Sequence, residues 1–171
     1  DLIRVNGRGT AKGWKPKLLE KRERRRAWID EWGRLVKEMD SPIIESEAFP
    51  TFSSRKHRGG GGIWPVEFPI KNMDDLRSYS PPNPLAEGRF NHVEATVRRY
   101  GNEVMVAGSV EGPAGQAYEL MGFEAFLKNL YINSPLVEKV LEMVTSYYIK
   151  AGGAVIDLGC ETMWIVEDIA Y

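Results

Sequence analysis

The sequence has 171 residues, enough for one domain of ordinary size, and its 43% hydrophobic content predicts a folded core. A formal net charge of −1 argues against nucleic acid or an acidic membrane as the dominant partner, and no apolar run approaches the roughly 20 residues that span a bilayer. The single cysteine, Cys160, excludes an internal disulfide framework and predicts a reducing, cytoplasmic location.

The chain begins with a short predicted strand, residues 1–5, followed by a glycine turn over 6–10. Residues 15–26 are strongly basic, and we interpret them as a solvated surface segment in which Glu20 pairs with Arg24 along a helix. One alternative is a phosphate- or carboxylate-binding patch. Another is a nucleic-acid-binding patch, which a steep salt dependence of affinity would reveal.

Residues 28–36 (WIDEWGRLV) concentrate two tryptophans, two acids and a glycine. An indole supplies both apolar area and an N–H donor, so tryptophans beside acids often form the wall of a ligand pocket. Asp30 and Trp32 are therefore candidate substrate-binding residues. A surface hairpin whose tryptophans cover a barrel mouth is an equally open alternative.

Residues 41–70 show little helical period and contain several prolines and four consecutive glycines, so they predict an irregular excursion or a β-hairpin. An amphipathic helix is then expected over 89–100, and a buried strand over 103–107. Small residues at 108–115 would let a ligand approach the backbone at the end of that strand, which makes Ser109 and Glu111 candidate substrate-binding residues.

The most informative stretch is 134–171. Ser134 predicts a helix start, apolar residues recur at three- and four-residue steps, and Gly159 predicts the helix end. Residues 162–166 fit a buried parallel strand, and Glu167 and Asp168 follow at its carboxyl end, where α/β folds place their chemistry. We interpret both acids as catalytic and expect them beside residues 108–115; helix capping after the strand is the alternative.

Strands separated by helices predict an α/β fold with a parallel sheet. Several motifs, in this order, resemble the uroporphyrinogen decarboxylase superfamily, a (β/α)8 barrel family that includes corrinoid-dependent methyltransferases. They lie at 30–33 (DEWG), 68–70, 73–76, 79–84, 106–108, 112–113, 121–124, 127, 134–135, 137, 148 and 165–170. The acid pair and the DEWG passage favour the methyltransferase-like branch.

The resemblance implies that residues 1–171 form a single domain, the N-terminal part of a TIM barrel and a piece of a longer chain. It implies a zinc-dependent enzyme that moves a methyl group between a small substrate and a corrinoid, or cobalamin, on a partner protein. The zinc ligands are expected beyond residue 171, with none in this segment. Nucleic acid and membrane are not expected as partners, and a homodimer is left open.

Two alternatives follow from the same resemblance. One is uroporphyrinogen decarboxylase itself, a lyase of porphyrin synthesis, in which an acid would stabilise a protonated tetrapyrrole intermediate. The other is a non-catalytic module that holds a tetrapyrrole or corrinoid without turnover. Metal content and the reaction product discriminate among the three.

Overall fold

The structure, a computed structural model, describes residues 2–7, 9–22, 25–40 and 61–167. The chain divides into two compact units, one of Asp1–Trp14 with Ile70–Tyr171 and one of Lys15–Pro69. The single domain over 1–171 stays a prediction. The elements of the first unit are β1 (Leu2–Asn6), α1 (Met73–Ser78), α2 (Asn91–Tyr100), β6 (Met105–Glu111), α3 (Pro113–Met121), α4 (Phe123–Ile132), α5 (Ser134–Asp157) and β7 (Thr162–Val166). Those of the second unit are β2 (Lys17–Arg22), β3 (Arg25–Ile29), β4 (Leu35–Asp40) and β5 (Gly61–Glu67).

The first unit contains a parallel sheet with the strand order β1-β6-β7, and helices separate its strands along the chain. The register pairs Val5 with Gly108 and Ser109 with Trp164, so β6 is the central strand. This arrangement confirms the predicted α/β class with a parallel sheet.

The helices of this unit begin where local chemistry favours them. Asn72 caps α1 through its side chain, and Asp75 completes a reciprocal capping box. Pro113 and Pro135 lie in the first turns of α3 and α5, where a missing N–H costs nothing. Ser134 is the first residue of α5 rather than its side-chain cap, so the prediction was wrong by one residue.

The core of the first unit lies between the sheet and the helices α2 and α5. It is built on Val5, Val93, Val106, Val155 and Cys160, each at most 7% exposed. The predicted apolar face of α5 is buried, apart from one half-buried leucine at 141, and Gly159 follows the helix with a positive φ of 102°.

The central strand differs from its prediction. β6 runs over Met105–Glu111, so residues 108–111, expected as a loop, continue the strand. A Cβ on Gly108 would lie 2.5 Å from Val155 Cγ1 and 2.9 Å from Met163 Cε. The glycine therefore lets α5 and β7 pack closely against β6, and room for a ligand does not explain it.

The second unit is an antiparallel sheet with the order β2-β3-β4-β5. The helix expected within the basic segment is a hairpin of β2 and β3, and Arg26 pairs with Glu38 across the sheet at 2.8 Å. In the predicted excursion, 61–67 form β5, and residues 41–60 lie outside the described ranges.

Candidate functional site

The candidate site lies at the carboxyl edge of the parallel sheet. β6 ends at Glu111, whose register partner on β7 is Val166, and Glu167 comes next along the chain. Two acids from adjacent strands thus reach the same edge, which is where parallel α/β folds bind ligands. Asp168, the other predicted catalytic residue, lies outside the described residues.

Glu167 binds the first turn of α3 with both carboxylate oxygens. Oε2 accepts from the Ala114 N–H and Oε1 from the Gly115 N–H, each at 2.9 Å. These are two of the donors that a helix N-terminus leaves without an intrahelical partner, and the positive end of the helix dipole favours a negative charge there. Helix capping was the alternative interpretation of this acid, but the helix that it caps follows β6 rather than β7. The catalytic role of Glu167 stays a prediction.

Two glycines, Gly112 and Gly115, leave the space that the Glu167 carboxylate occupies. A Cβ on Gly112 would lie 2.2 Å from Glu167 Oε2, and the Gly112 N–H donates to the Val166 carbonyl at 2.7 Å. A Cβ on Gly115 would lie 3.3 Å from Glu167 Oε1 and 3.9 Å from Glu111 Oε1. The carboxylates of Glu111 and Glu167 therefore both approach Gly115, next to residues 108–115 as expected.

Ser109 lies two residues before Glu111 on β6, so strand alternation places both on one face. It is 5% exposed, and its hydroxyl donates to the Val5 carbonyl at 3.2 Å. Its proton is therefore engaged within the sheet, and an approaching ligand would meet its oxygen as an acceptor.

Three polar or aromatic residues on the face of Ser109 were not predicted from the sequence. Asn6 and Trp164 are its register partners on β1 and β7, and Arg4 lies two residues before Asn6. The two-residue alternation of the strands would have found them once the register was known. The predicted burial of 162–166 was wrong, because β7 is at the edge of the described sheet, and Trp164 is 46% and Ile165 67% exposed.

A buried hydrogen-bonded pair, Tyr148 and Gln116, was also not predicted from the sequence. The Tyr148 hydroxyl on α5 donates to Gln116 Oε1 on α3 at 2.7 Å, and both residues are buried. Gln116 follows directly after the amide that binds Glu167. The pair therefore fixes α3, and with it the amides of the candidate site, against the longest helix.

Asp30 and Trp32 lie in the second unit, in the turn between β3 and β4. Asp30 Oδ1 accepts from the backbone N–H groups of Trp32 and Arg34, at 3.0 and 2.9 Å, and its carboxylate pairs with the Arg34 guanidinium at 2.6 Å. Gly33 supplies the positive φ of 77° that the turn needs. Local turn geometry thus accounts for the aspartate and glycine of DEWG, and the substrate-binding roles stay predictions.

The described part of the chain offers no group of three or more His, Cys, Asp or Glu side chains that could hold a metal ion. Cys160 is 4% exposed at the amino end of β7, and burial raises the pKa of its thiol, which disfavours the thiolate that metals bind. Within the same residues, no helix is long and apolar enough to cross a bilayer.

Comparison with known proteins adds a family. A family model described as uroporphyrinogen decarboxylase (URO-D) matches residues 58–170. Two curated proteins, each named methylcobamide:CoM methyltransferase MtbA, are similar to the chain over 112 residues, at 27% identity in Methanosarcina acetivorans and 28% in Methanosarcina mazei. Each match covers 61% of this chain and 32% of the relative, so the chain spans about a third of the length of these relatives. A solved structure, described as a methyltransferase from Methanosarcina mazei, matches with a TM-score of 0.46 and 20% identity, over 61% of this chain and 32% of the other.

Proposed function

The chain belongs to the uroporphyrinogen decarboxylase family. From that premise we propose that its acids at the carboxyl edge of the parallel sheet, Glu111 and Glu167, form the acidic rim of a methyltransferase site. The enzyme moves a methyl group between a cobamide on a corrinoid protein and a small thiol. The names of both MtbA relatives support this reaction. The observation that carries the proposal is the approach of Glu111 and Glu167 to Gly115 at the carboxyl edge of the sheet.

The proposed architecture is the N-terminal part of a (β/α)8 barrel. The parallel order β1-β6-β7 and the helices between these strands support it, as does the family. In such barrels the strands' carboxyl ends build the site and the amino ends serve stability. Cys160, at the amino end of β7, then belongs to the stabilising face.

The chemistry determines what the rim must do. The thiol loses its proton, its sulfur bonds to the methyl carbon, and the cobalt–carbon bond breaks with both electrons left on cobalt. A carboxylate at the rim takes up that proton. The proposed roles are proton exchange or orientation of the acceptor for Glu167 and Asp168, and substrate binding for Asp30, Trp32, Ser109 and Glu111.

The bonds of Glu167 favour orientation over proton exchange. Both of its oxygens are held by backbone amides that belong to a buried helix start, so the side chain is fixed relative to β6. A fixed acid aligns a neighbouring group well, because it loses little freedom when a ligand binds. Proton exchange then falls to Asp168, which follows it directly.

Zinc belongs to the proposal only through the family resemblance. No group of ligands for it lies among the described residues, and only the resemblance implies ligands beyond residue 171. When bound, zinc would lower the pKa of a thiol that it coordinates.

The test is methyl transfer by the purified protein. Methylcobalamin and 2-mercaptoethanesulfonate, the thiol known as CoM, are supplied, and the S-methyl product is measured by mass spectrometry alongside the absorbance of the cobalamin. We expect both signals to change together and in proportion to protein. Cobalamin that stays methylated in the presence of folded protein would contradict the proposal.

The description of the matched family favours a second candidate, decarboxylation of a tetrapyrrole. Carbon dioxide release from uroporphyrinogen, with no S-methyl product, would select it. Tight binding of either macrocycle without product would instead indicate a non-catalytic module.

A further inference from the structure

An arginine side chain lies over an aromatic ring on one face of the parallel sheet. We call this face, which carries Ser109, the inward face. Arg4 on β1 and Trp164 on β7 lie on either side of the central strand, and the guanidinium carbon of Arg4 is 5.5 Å from the centroid of the Trp164 ring. Both side chains are exposed in the described sheet, Trp164 by 46%. Within the part of the chain that the structure describes, the pair is therefore accessible to a ligand.

The two side chains meet because β6 presents small residues between them. Neighbouring strands lie about 4.8 Å apart, which leaves roughly 10 Å between β1 and β7. In that interval β6 places Ala107 and Ser109, both buried. A long cationic side chain and a wide aromatic one can span this distance only above such small neighbours.

The charge of Arg4 is not neutralised by any residue that the structure describes. Other arginines do have a carboxylate partner: Arg26, Arg34 and Arg77 pair at 2.6 to 2.8 Å. A guanidinium that lies over a ring gains cation–π stabilisation yet keeps N–H donors for an anion. A carboxylate or sulfonate offers the paired oxygens that match this fork.

We propose that Arg4 and Trp164 form an anion subsite, in which Arg4 binds the carboxylate or sulfonate of the methyl acceptor and Trp164 packs against its carbon chain. Trp164 is level with Ser109, two residues below Glu111, which corresponds to about 7 Å along the strand. An acceptor with two or three carbons between its anionic group and its thiol fits that interval. Only the identity of the ligand as the acceptor rests on the proposed function.

Three thiols test the subsite by calorimetric titration of the protein: 2-mercaptoethanesulfonate, 3-mercaptopropionate and the neutral 3-mercaptopropan-1-ol. Arg4→Met keeps the apolar stem but deletes the charge. The substitution should lower the affinity for both anionic thiols about tenfold to 100-fold, because charge-assisted hydrogen bonds are lost. The affinity for the neutral thiol should stay unchanged. Arg4→Lys keeps the charge without the planar guanidinium, so its affinity for the anionic thiols should lie between those of the wild type and Arg4→Met.

The matched control is Arg99→Met. Arg99 also lies over an aromatic ring, that of Tyr100, at 5.0 Å, but on the surface of α2. Its removal should change no affinity. Equal affinities for the anionic thiols in the wild type and Arg4→Met would overturn the subsite. An equal loss of affinity for all three thiols would do the same, as would a wild type that binds none of them. Anion binding through Arg4 without methyl transfer would refute the proposed function and leave the subsite standing.

Discussion

Replacing Glu167 with alanine should destabilise the first unit, because it removes hydrogen bonds from the first turn of α3. The substitution removes an acceptor from two backbone donors, those of Ala114 and Gly115, both within buried residues. Water replaces a lost partner poorly at buried amides, so each bond should contribute about 1 kcal/mol net. Glu167 itself is half-buried, which keeps the charge contribution modest.

The expected loss is therefore about 2 kcal/mol of unfolding free energy for Glu167→Ala, near the upper end for lost helix caps. Glu167→Gln retains one acceptor and should lose about half of that. Urea denaturation followed by circular dichroism at 222 nm measures both, provided that the slope of the transition is unchanged.

Glu124→Ala is the matched control, because Glu124 is also an acid in the first turn of a helix, α4, but is exposed. Its loss should be under about 0.5 kcal/mol, the contribution of a surface charge near a helix dipole. Equal losses for the two alanine variants would refute the reasoning, since they would show that the amide contacts of Glu167 contribute nothing specific.

Three further predictions concern packing, reactivity and the turn. Gly108→Ala should cost about 1 to 3 kcal/mol of unfolding free energy in the wild type and less in a Val155→Ala background, because the new Cβ meets that valine at 2.5 Å. Equal costs with and without Val155→Ala would contradict this. Cys160 should resist iodoacetamide at pH 8 in the native protein and react with it after denaturation. Burial raises the pKa of its thiol, so less of the reactive thiolate forms at this pH. Rapid labelling of the native protein would contradict this prediction. Asp30→Ala should cost about 2 kcal/mol by urea denaturation, because it removes an acceptor from two turn amides and the partner of Arg34; a loss below 0.5 kcal/mol, the usual range for surface substitutions, would contradict it.

The sequence predicted α5 and the position of β7 because both are decided locally. A helix that buries one face repeats its apolar residues at 3.6-residue intervals, and a glycine with positive φ ends it. The burial of β7 depends instead on which strands flank it. No periodicity in residues 162–166 reports that, and Trp164 and Ile165 are consequently far more exposed than predicted.

Glycines show the same limit. Gly108 and Gly112 predicted a ligand-accessible loop, yet the neighbours that need their missing Cβ atoms come from α5, β7 and Glu167, distant in sequence. A single sequence does not distinguish room for a ligand from room for a remote side chain. The asparagine cap of α1, by contrast, depends on residues three apart, so a local sequence pattern is sufficient to encode it.

The position of one candidate residue was predicted for an equally physical reason, while the roles of the candidate residues stay predictions. Acids after a strand indicate the carboxyl edge, so the placement of Glu167 beside residues 108–115 is confirmed. Its hydrogen bonds span 53 and 52 residues and depend on how α3 leaves β6, which no local pattern encodes. Arg4 was missed because its importance arises only from the register of β1, β6 and β7.

The most direct test of the acidic rim is the single-turnover rate of methyl transfer from methylcobalamin to 2-mercaptoethanesulfonate in Glu111→Gln. Glu161→Gln is the matched control, because Glu161 is exposed at the opposite, amino end of β7. Because Glu111 is proposed to bind the substrate, the proposed function predicts a rate at least about tenfold lower for Glu111→Gln at a thiol concentration below saturation, with the fold unchanged by circular dichroism, and a wild-type rate for the control. Equal rates in the two variants would contradict a role for the carboxyl edge in the reaction.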